Sequence, residues 1–106
     1  MDDNAVVIAD ADGVIRFWSA GAQKAFGYCA AQAVGETLEL IVPAEYRDAH
    51  WAGFRRAVES GAAALEGQIS PFPVLRADGD IATSPGRLTL VRRAGGQVIA
   101  AMVVFD

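Results

Sequence analysis

The sequence predicts an α+β fold: one five-stranded antiparallel sheet with three or four helices on one face. Three observations predict it. Strand-like apolar runs fall at the two ends of the chain, two before residue 19 and three after residue 66. Glycine turns join the neighbours within each group, at Asp10-Ala11-Asp12-Gly13, Ala77-Asp78-Gly79-Asp80 and Ala94-Gly95-Gly96. The stretch between the groups carries helix composition, helix caps and helix stops.

Ala5–Asp10 is a short apolar run that ends in the first turn. Val14–Trp18 reads as its return strand. Ser19 is a good N-cap for a helix over Ala20–Phe26, and Gly27 stops it. Two short helical pieces follow, Ala30–Val34 and Thr37–Leu40, separated by Gly35. Pro43 starts the clearest helix, Ala44–Ser60, which has no proline and closes on Gly61. Tyr46, His50 and Phe54 stand at i, i+4 and i+8 and share one stripe of it. Ala62–Glu66 reads as a linker or helix tail. Gly67–Arg76 reads as a strand whose Pro71 and Pro73 lack donors on the same side, which places it at a sheet edge. Arg87–Arg93 reads as the next strand, and Gln97–Phe105 as a central one by its apolar content.

The 106 residues make one domain, 1–106. Hydrophobic residues at 53% and charged residues at 21% exclude disorder. The longest apolar run, Val98–Phe105, falls far short of the roughly 20 residues of a membrane-spanning helix. The acidic start Met1-Asp2-Asp3-Asn4 is unlike a signal or transit peptide, so we expect a cytoplasmic setting. A net charge of -4 and arginines that come at most in pairs, Arg55-Arg56 and Arg92-Arg93, argue against nucleic acid and read as solvated charge. One cysteine, Cys29, excludes an internal disulfide. One histidine, His50, excludes multi-histidine metal sites. No nucleophile–base pair and no phosphate-cradling glycine loop stands out, so we expect no enzyme.

The turn and cap residues together resemble the PAS domain family. Asp10-Ala11-Asp12-Gly13-Val14-Ile15, Trp18-Ser19-Ala20-Gly21-Ala22, Phe26-Gly27-Tyr28, Val34-Gly35 and Ile41-Val42-Pro43 are similar to its first half. Leu75-Arg76-Ala77-Asp78-Gly79 and Ala94-Gly95-Gly96-Gln97-Val98-Ile99 are similar to its second. Asp106 resembles the aspartate that opens the linker at the exit of many such domains. The resemblance implies a sensory or interaction module, excised or stand-alone, serving an effector such as a kinase, cyclase or regulator outside this chain. It implies a ligand cavity between the long helix and the sheet, and a homodimer through the outer sheet face and N-terminal segment.

The run Pro43–His50 with Arg56 further resembles the heme-binding helix of the rhizobial oxygen-sensor kinases. That likeness implies His50 as axial iron ligand, Arg56 near a heme propionate, and Tyr46 and Phe54 beside them. Leu88 and Leu90 match apolar distal positions, which a sheet core would fill with leucine anyway. Ser70, beside Ile69, stands where the family has an oxygen-contacting arginine. Met102 is expected on the distal side, as a pocket filler, a sixth ligand or a plain core residue. The alternatives to heme are another small molecule or no ligand, the chain then being a dimerisation module. Cys29 lies outside the helix motif of the flavin photosensors, which argues against flavin. Trp51 faces off the His50 stripe, either exposed as a dimer contact or half-buried against its helix.

Overall fold

The computed structural model describes residues 4–106. Five strands, β1 (Ala5–Asp10), β2 (Ile15–Trp18), β3 (Ile69–Leu75), β4 (Ile81–Arg92) and β5 (Val98–Phe105), form one antiparallel sheet in the order β2-β1-β5-β4-β3. Between β2 and β3 run helices α1 (Ala20–Phe26), α2 (Ala30–Ala33) and α3 (Arg47–Ser60), with 3₁₀ turns at Leu38–Leu40 and Ala44–Tyr46.

The local chemistry sets these bounds. In the first turn, Asp10 Oδ1 accepts from the N–H groups of Asp12 and Val14, both at 3.0 Å, and Gly13 takes φ 82°. Desolvation alone would push the Asp10 carboxyl up, but these bonds and the Arg16 guanidinium at 2.8 Å together hold it below the usual range. Ser19 Oγ caps α1 by accepting from Ala22 N–H and also accepts from Val6 N–H, tying α1 to β1. Gly27 and Gly61 end α1 and α3 with positive φ, as their positions predict. The long helix begins three residues later than expected, because Pro43–Tyr46 winds as a 3₁₀ turn before α3.

β4 departs most from expectation, starting at Ile81 rather than Arg87. Pro85 and Gly86 look like strand breakers, yet both sit inside it. Pro85 accepts from Asp106 N–H at the end of the β4–β5 ladder, where a missing donor costs one rung. A Cβ on Gly86 would lie 3.0–3.2 Å from Val103, Phe105 and Phe72, so glycine there makes room for the rings beneath.

Both sheet edges are closed. β3 is an edge, and on its outward side Pro71 and Pro73 have no donor while Leu75 N–H goes to Ile41 O at 2.9 Å. Along β2, the chain at 35–38 takes the free groups: Ile15 N–H donates to Glu36 O, Gly35 N–H to Ile15 O and Leu38 N–H to Gly13 O. Both devices reduce the free backbone groups open to another strand.

The main core gathers Val7, Ile15, Trp18, Phe26, Val74 and Phe105 between the sheet and α1–α2. Phe26 packs edge-on to Phe105 at 5.0 Å and lies 6.0 Å from Trp18, whose Nε1–H donates to Tyr28 O at 2.7 Å. A smaller cluster of Ala57, Leu90 and Val98 sits under the C-terminal end of α3. The two clusters do not merge.

Candidate functional site

The gap between the two clusters is a cavity of 630 Å³ bounded by α3, the segment 62–65 and the inner face of β1, β5, β4 and β3. That size suits a small-molecule ligand. Its floor is aliphatic: Val7 and Ala9, Ala101 and Val103, Leu88 and Leu90. Phe72, Val74 and Phe105 close it toward the main core. The alternation of the pleat explains the floor, since these residues share one face of the sheet.

The α3 side contributes Tyr46, Ala49, His50, Gly53, Phe54, Arg56 and Ala57. The 3.6-residue period carries Tyr46, His50 and Phe54 to the same wall, as the stripe predicts. Seven of the lining residues are alanines, and these short side chains leave the space open. Tyr46 at 45% and Leu65 at 48% exposure belong to the lining, so the cavity reaches solvent between α3 and the 62–65 segment.

Three polar side chains belong to the lining: Tyr46, His50 and Arg56. His50 lies edge-on to Trp51 at 4.8 Å and stacks on Phe54 at 5.9 Å. Its Nδ1 is buried with no hydrogen-bond partner. Burial holds the imidazole below the ordinary histidine range, against a smaller opposing pull from the Glu39 carboxylate. The ring therefore favours its neutral form, the form that ligates metals. Two rings, rather than the hydrogen bond that commonly orients a ligating imidazole, fix its direction. Arg56 is exposed and makes no ion pair or hydrogen bond among the described residues. Among those residues no cluster of three His, Cys, Asp or Glu side chains could hold a metal ion. An imidazole on the wall and an unpaired guanidinium at the rim fit a heme in kind.

The structure brings Tyr46, His50, Phe54, Arg56, Leu88 and Leu90 together around the cavity. It leaves three expected residues out. Met102 pairs with Ile8 and Thr89 on the outer face, so its thioether can neither fill the pocket nor reach a group within it. Ile69 is 48% exposed opposite Arg87, also on the outer pleat. Ser70 is buried on the inner pleat opposite Gly86, at the end of β3 and beyond the lining. Cys29 caps α2, away from the cavity, where its N–H donates to Gln32 Oε1.

Trp51 is half-buried. Its Nε1–H donates to Glu39 Oε2 at 2.7 Å, and its ring covers Gly13 so closely that a Cβ there would lie 2.4 Å from Cζ3. It therefore fastens α3 to the β1–β2 turn. The wall residues Ala62, Ala63 and Ala64 carried no sequence signal beyond a linker. Arg92, read as solvated charge, proves to be bonded on two sides: to Gly61 O, and to the Glu66 carboxylate at 2.6 Å.

The PAS fold family matches residues 3–106, and the chain belongs to that family. A PAS domain of a protein from Colwellia psychrerythraea superposes with a TM-score of 0.81 at 20% identity, covering 97% of this chain and 84% of that one. The PAS domain of the Cronobacter turicensis RpfR quorum-sensing receptor, in complex with BDSF, gives a TM-score of 0.77 at 13% identity over 100% of this chain and 94% of that one. The same receptor domain is also known in complex with C12:0. By sequence, an uncharacterized protein of Azorhizobium caulinodans is 33% identical over 105 residues, 97% of this chain. The match takes in 14% of that relative's length. PAS domains are in general sensory and signalling modules. No helix among the described residues is long and apolar enough to cross a membrane.

Proposed function

We propose that this PAS domain is a sensor whose 630 Å³ cavity binds a small ligand with an apolar body and an anionic end, and that occupancy is relayed to an effector outside the chain. One observation carries the reading. The lining is apolar except for Tyr46 and two groups without partners, the buried Nδ1 of His50 and the guanidinium of Arg56. An aliphatic floor rewards burial of an apolar body at roughly 25 cal/mol per Å². Arg56 offers a charge-assisted bond to a carboxylate at the rim. The BDSF and C12:0 complexes of the receptor domain from Cronobacter turicensis support ligand binding in this fold.

Heme is the specific candidate. His50 would be its axial ligand and Arg56 the partner of a propionate. When bound, heme would supply an iron site for diatomic gases, and Phe54 and Trp51 would hold the His50 imidazole that ligates it. The test is a hemin titration followed by absorption. A Soret band that shifts on binding and is lost in His50→Ala supports heme. No spectral change with hemin, alongside a dodecanoate-induced rise in melting temperature, moves the ligand to the aliphatic carboxylates. No binding of either rejects the ligand reading.

A second reading rests on the outer sheet face. Val6, Ile8, Phe17, Met102 and Val104 lie together there, Phe17 being 47% exposed, while both edges of the sheet are closed. A second copy of the chain would pair through this face, and the domain would then act as a dimerisation module. The N-terminal segment expected to join that contact lies largely outside the described residues. Sedimentation over a concentration series tests it: a dimer weakened by Ile8→Glu supports this face, and a monomer at all concentrations rejects it.

A further inference from the structure

We propose that residues 61–66 form a strap across the mouth of the cavity and that Arg92 is the positioning residue that pins it shut, an inference that rests on the cavity being a ligand site. After α3 ends at Gly61, the chain crosses to β3 through Ala62–Leu65, which line the cavity on one side. Ala62, Ala64 and Leu65 are exposed on the other. Arg92, near the end of β4, holds both ends of this crossing. Its Nε and Nη2 donate to Gly61 O at 3.0 and 2.8 Å. Its Nη2 and Nη1 donate to Glu66 Oε1 and Oε2 at 2.6 and 3.1 Å.

The two ends are held unequally without it. Glu66 Oε2 also accepts from Leu90 N–H at 2.9 Å, and Gly67 N–H donates to Leu88 O at 2.8 Å, so the downstream end belongs to the sheet. Upstream, the bonds of 61–65 are local, such as Glu66 N–H to Ala63 O and Gln68 N–H to Leu65 O. Among the described residues the Arg92 guanidinium makes the hydrogen bonds that fix Gly61 to β4. The planar guanidinium makes four bonds to the Gly61 carbonyl and both Glu66 carboxylate oxygens in fixed directions, a bidentate geometry that the single ammonium of lysine does not reproduce. Arg92 is absent from the lining, so it acts through the strap and not on the ligand.

Kinetics separate this role from plain stabilisation. If a ligand passes only when the strap swings away, a weaker clamp raises the open fraction equally with and without ligand. Uptake and release then accelerate together and the affinity stays put. Stopped-flow fluorescence with anilinonaphthalene sulfonate, an apolar probe with one anionic group, measures both rates. Ala101→Leu, which fills the cavity floor, identifies the cavity-bound signal. In Arg92→Gln and Arg92→Lys both rate constants are expected to rise about fivefold, with Kd changed less than twofold. Glu66→Gln, which keeps an acceptor for Leu90, gives a smaller rise of the same form and serves if the Arg92 variants do not fold. Wild-type rates in all three variants, with the signal lost in Ala101→Leu, would overturn the strap alone. An acceleration of release without one of uptake would also overturn it. A signal unchanged in Ala101→Leu would place the probe elsewhere and overturn the ligand reading and the strap together.

Discussion

Under α1 and α2 the inner sheet face is filled by Trp18, Phe26 and Phe105, with Phe26 and Ile15 essentially inaccessible. Under α3 the same face is covered by alanines and a glycine around open space. The first region places large rings in contact; the second holds its helix off the sheet and fastens it at the ends. Trp51 does this on the N-terminal side through Gly13 and Glu39, and Arg92 on the C-terminal side through Gly61 and Glu66. Close packing in one half supplies the stability that lets the other half stay hollow.

The contrast predicts four effects of decreasing size. The largest effect belongs to the packed half: Phe26→Ala should cost about 3–5 kcal/mol in chemical denaturation. A loss under about 1 kcal/mol would mean that the core is not where the rings meet. Next comes the fastening of α3. Gly13→Ala combines a positive φ, worth about 1–2 kcal/mol, with a clash against Trp51, so it should destabilise more than Gly79→Ala, which has the φ cost alone. Equal losses at the two sites would show that Trp51 is not held on Gly13.

Third, His50→Leu in the ligand-free protein should stabilise by about 1 kcal/mol, because it replaces a buried, unpartnered nitrogen by carbon. Destabilisation would mean that Nδ1 has a partner in solution. The smallest effect is a pH response of the strap. The Arg92 hydrogen bond, with help from Leu90 N–H, holds the Glu66 carboxyl below its ordinary value of 4.5. A depressed folded value stabilises above 4.5, and that contribution is lost as pH falls through the folded value. Probe exchange should therefore quicken at acid pH in the wild type more than in Glu66→Gln, and matching profiles would remove Glu66 from the clamp.

The packed half was legible in the sequence because its signals are local. Ser19, Gly27 and the Asp10–Gly13 turn each state their own geometry, and the observed bounds of β1 and α1 match them. Pro71 and Pro73 likewise announce an edge strand. The Tyr46, His50, Phe54 wall was legible from helical period alone. The hollow half was harder for physical reasons. β5 is apolar at nearly every position, so it shows no alternation, and nothing in Val98–Phe105 reveals that Ala101 faces in while Met102 faces out. Gly86 reads as a breaker until the rings around it are seen. Alanines at 62–64 are uninformative singly, and become a wall only when the chain is folded over β4. Arg92 is one exposed arginine among eight until Gly61 and Glu66 are brought to it.

The space under α3 is either a binding site, as proposed, or a packing fault. Thermal melting of the wild type and of Ala101→Leu, each with and without hemin or dodecanoate, separates the two. Ligand at a hundred times Kd adds about 2.7 kcal/mol, on the order of 10 °C for a domain of this size. A binding site gives such a rise with at least one of the two ligands in the wild type and none in Ala101→Leu, whose ligand-free melting point is unchanged or higher. No rise with either ligand, or the same rise in both proteins, would contradict it.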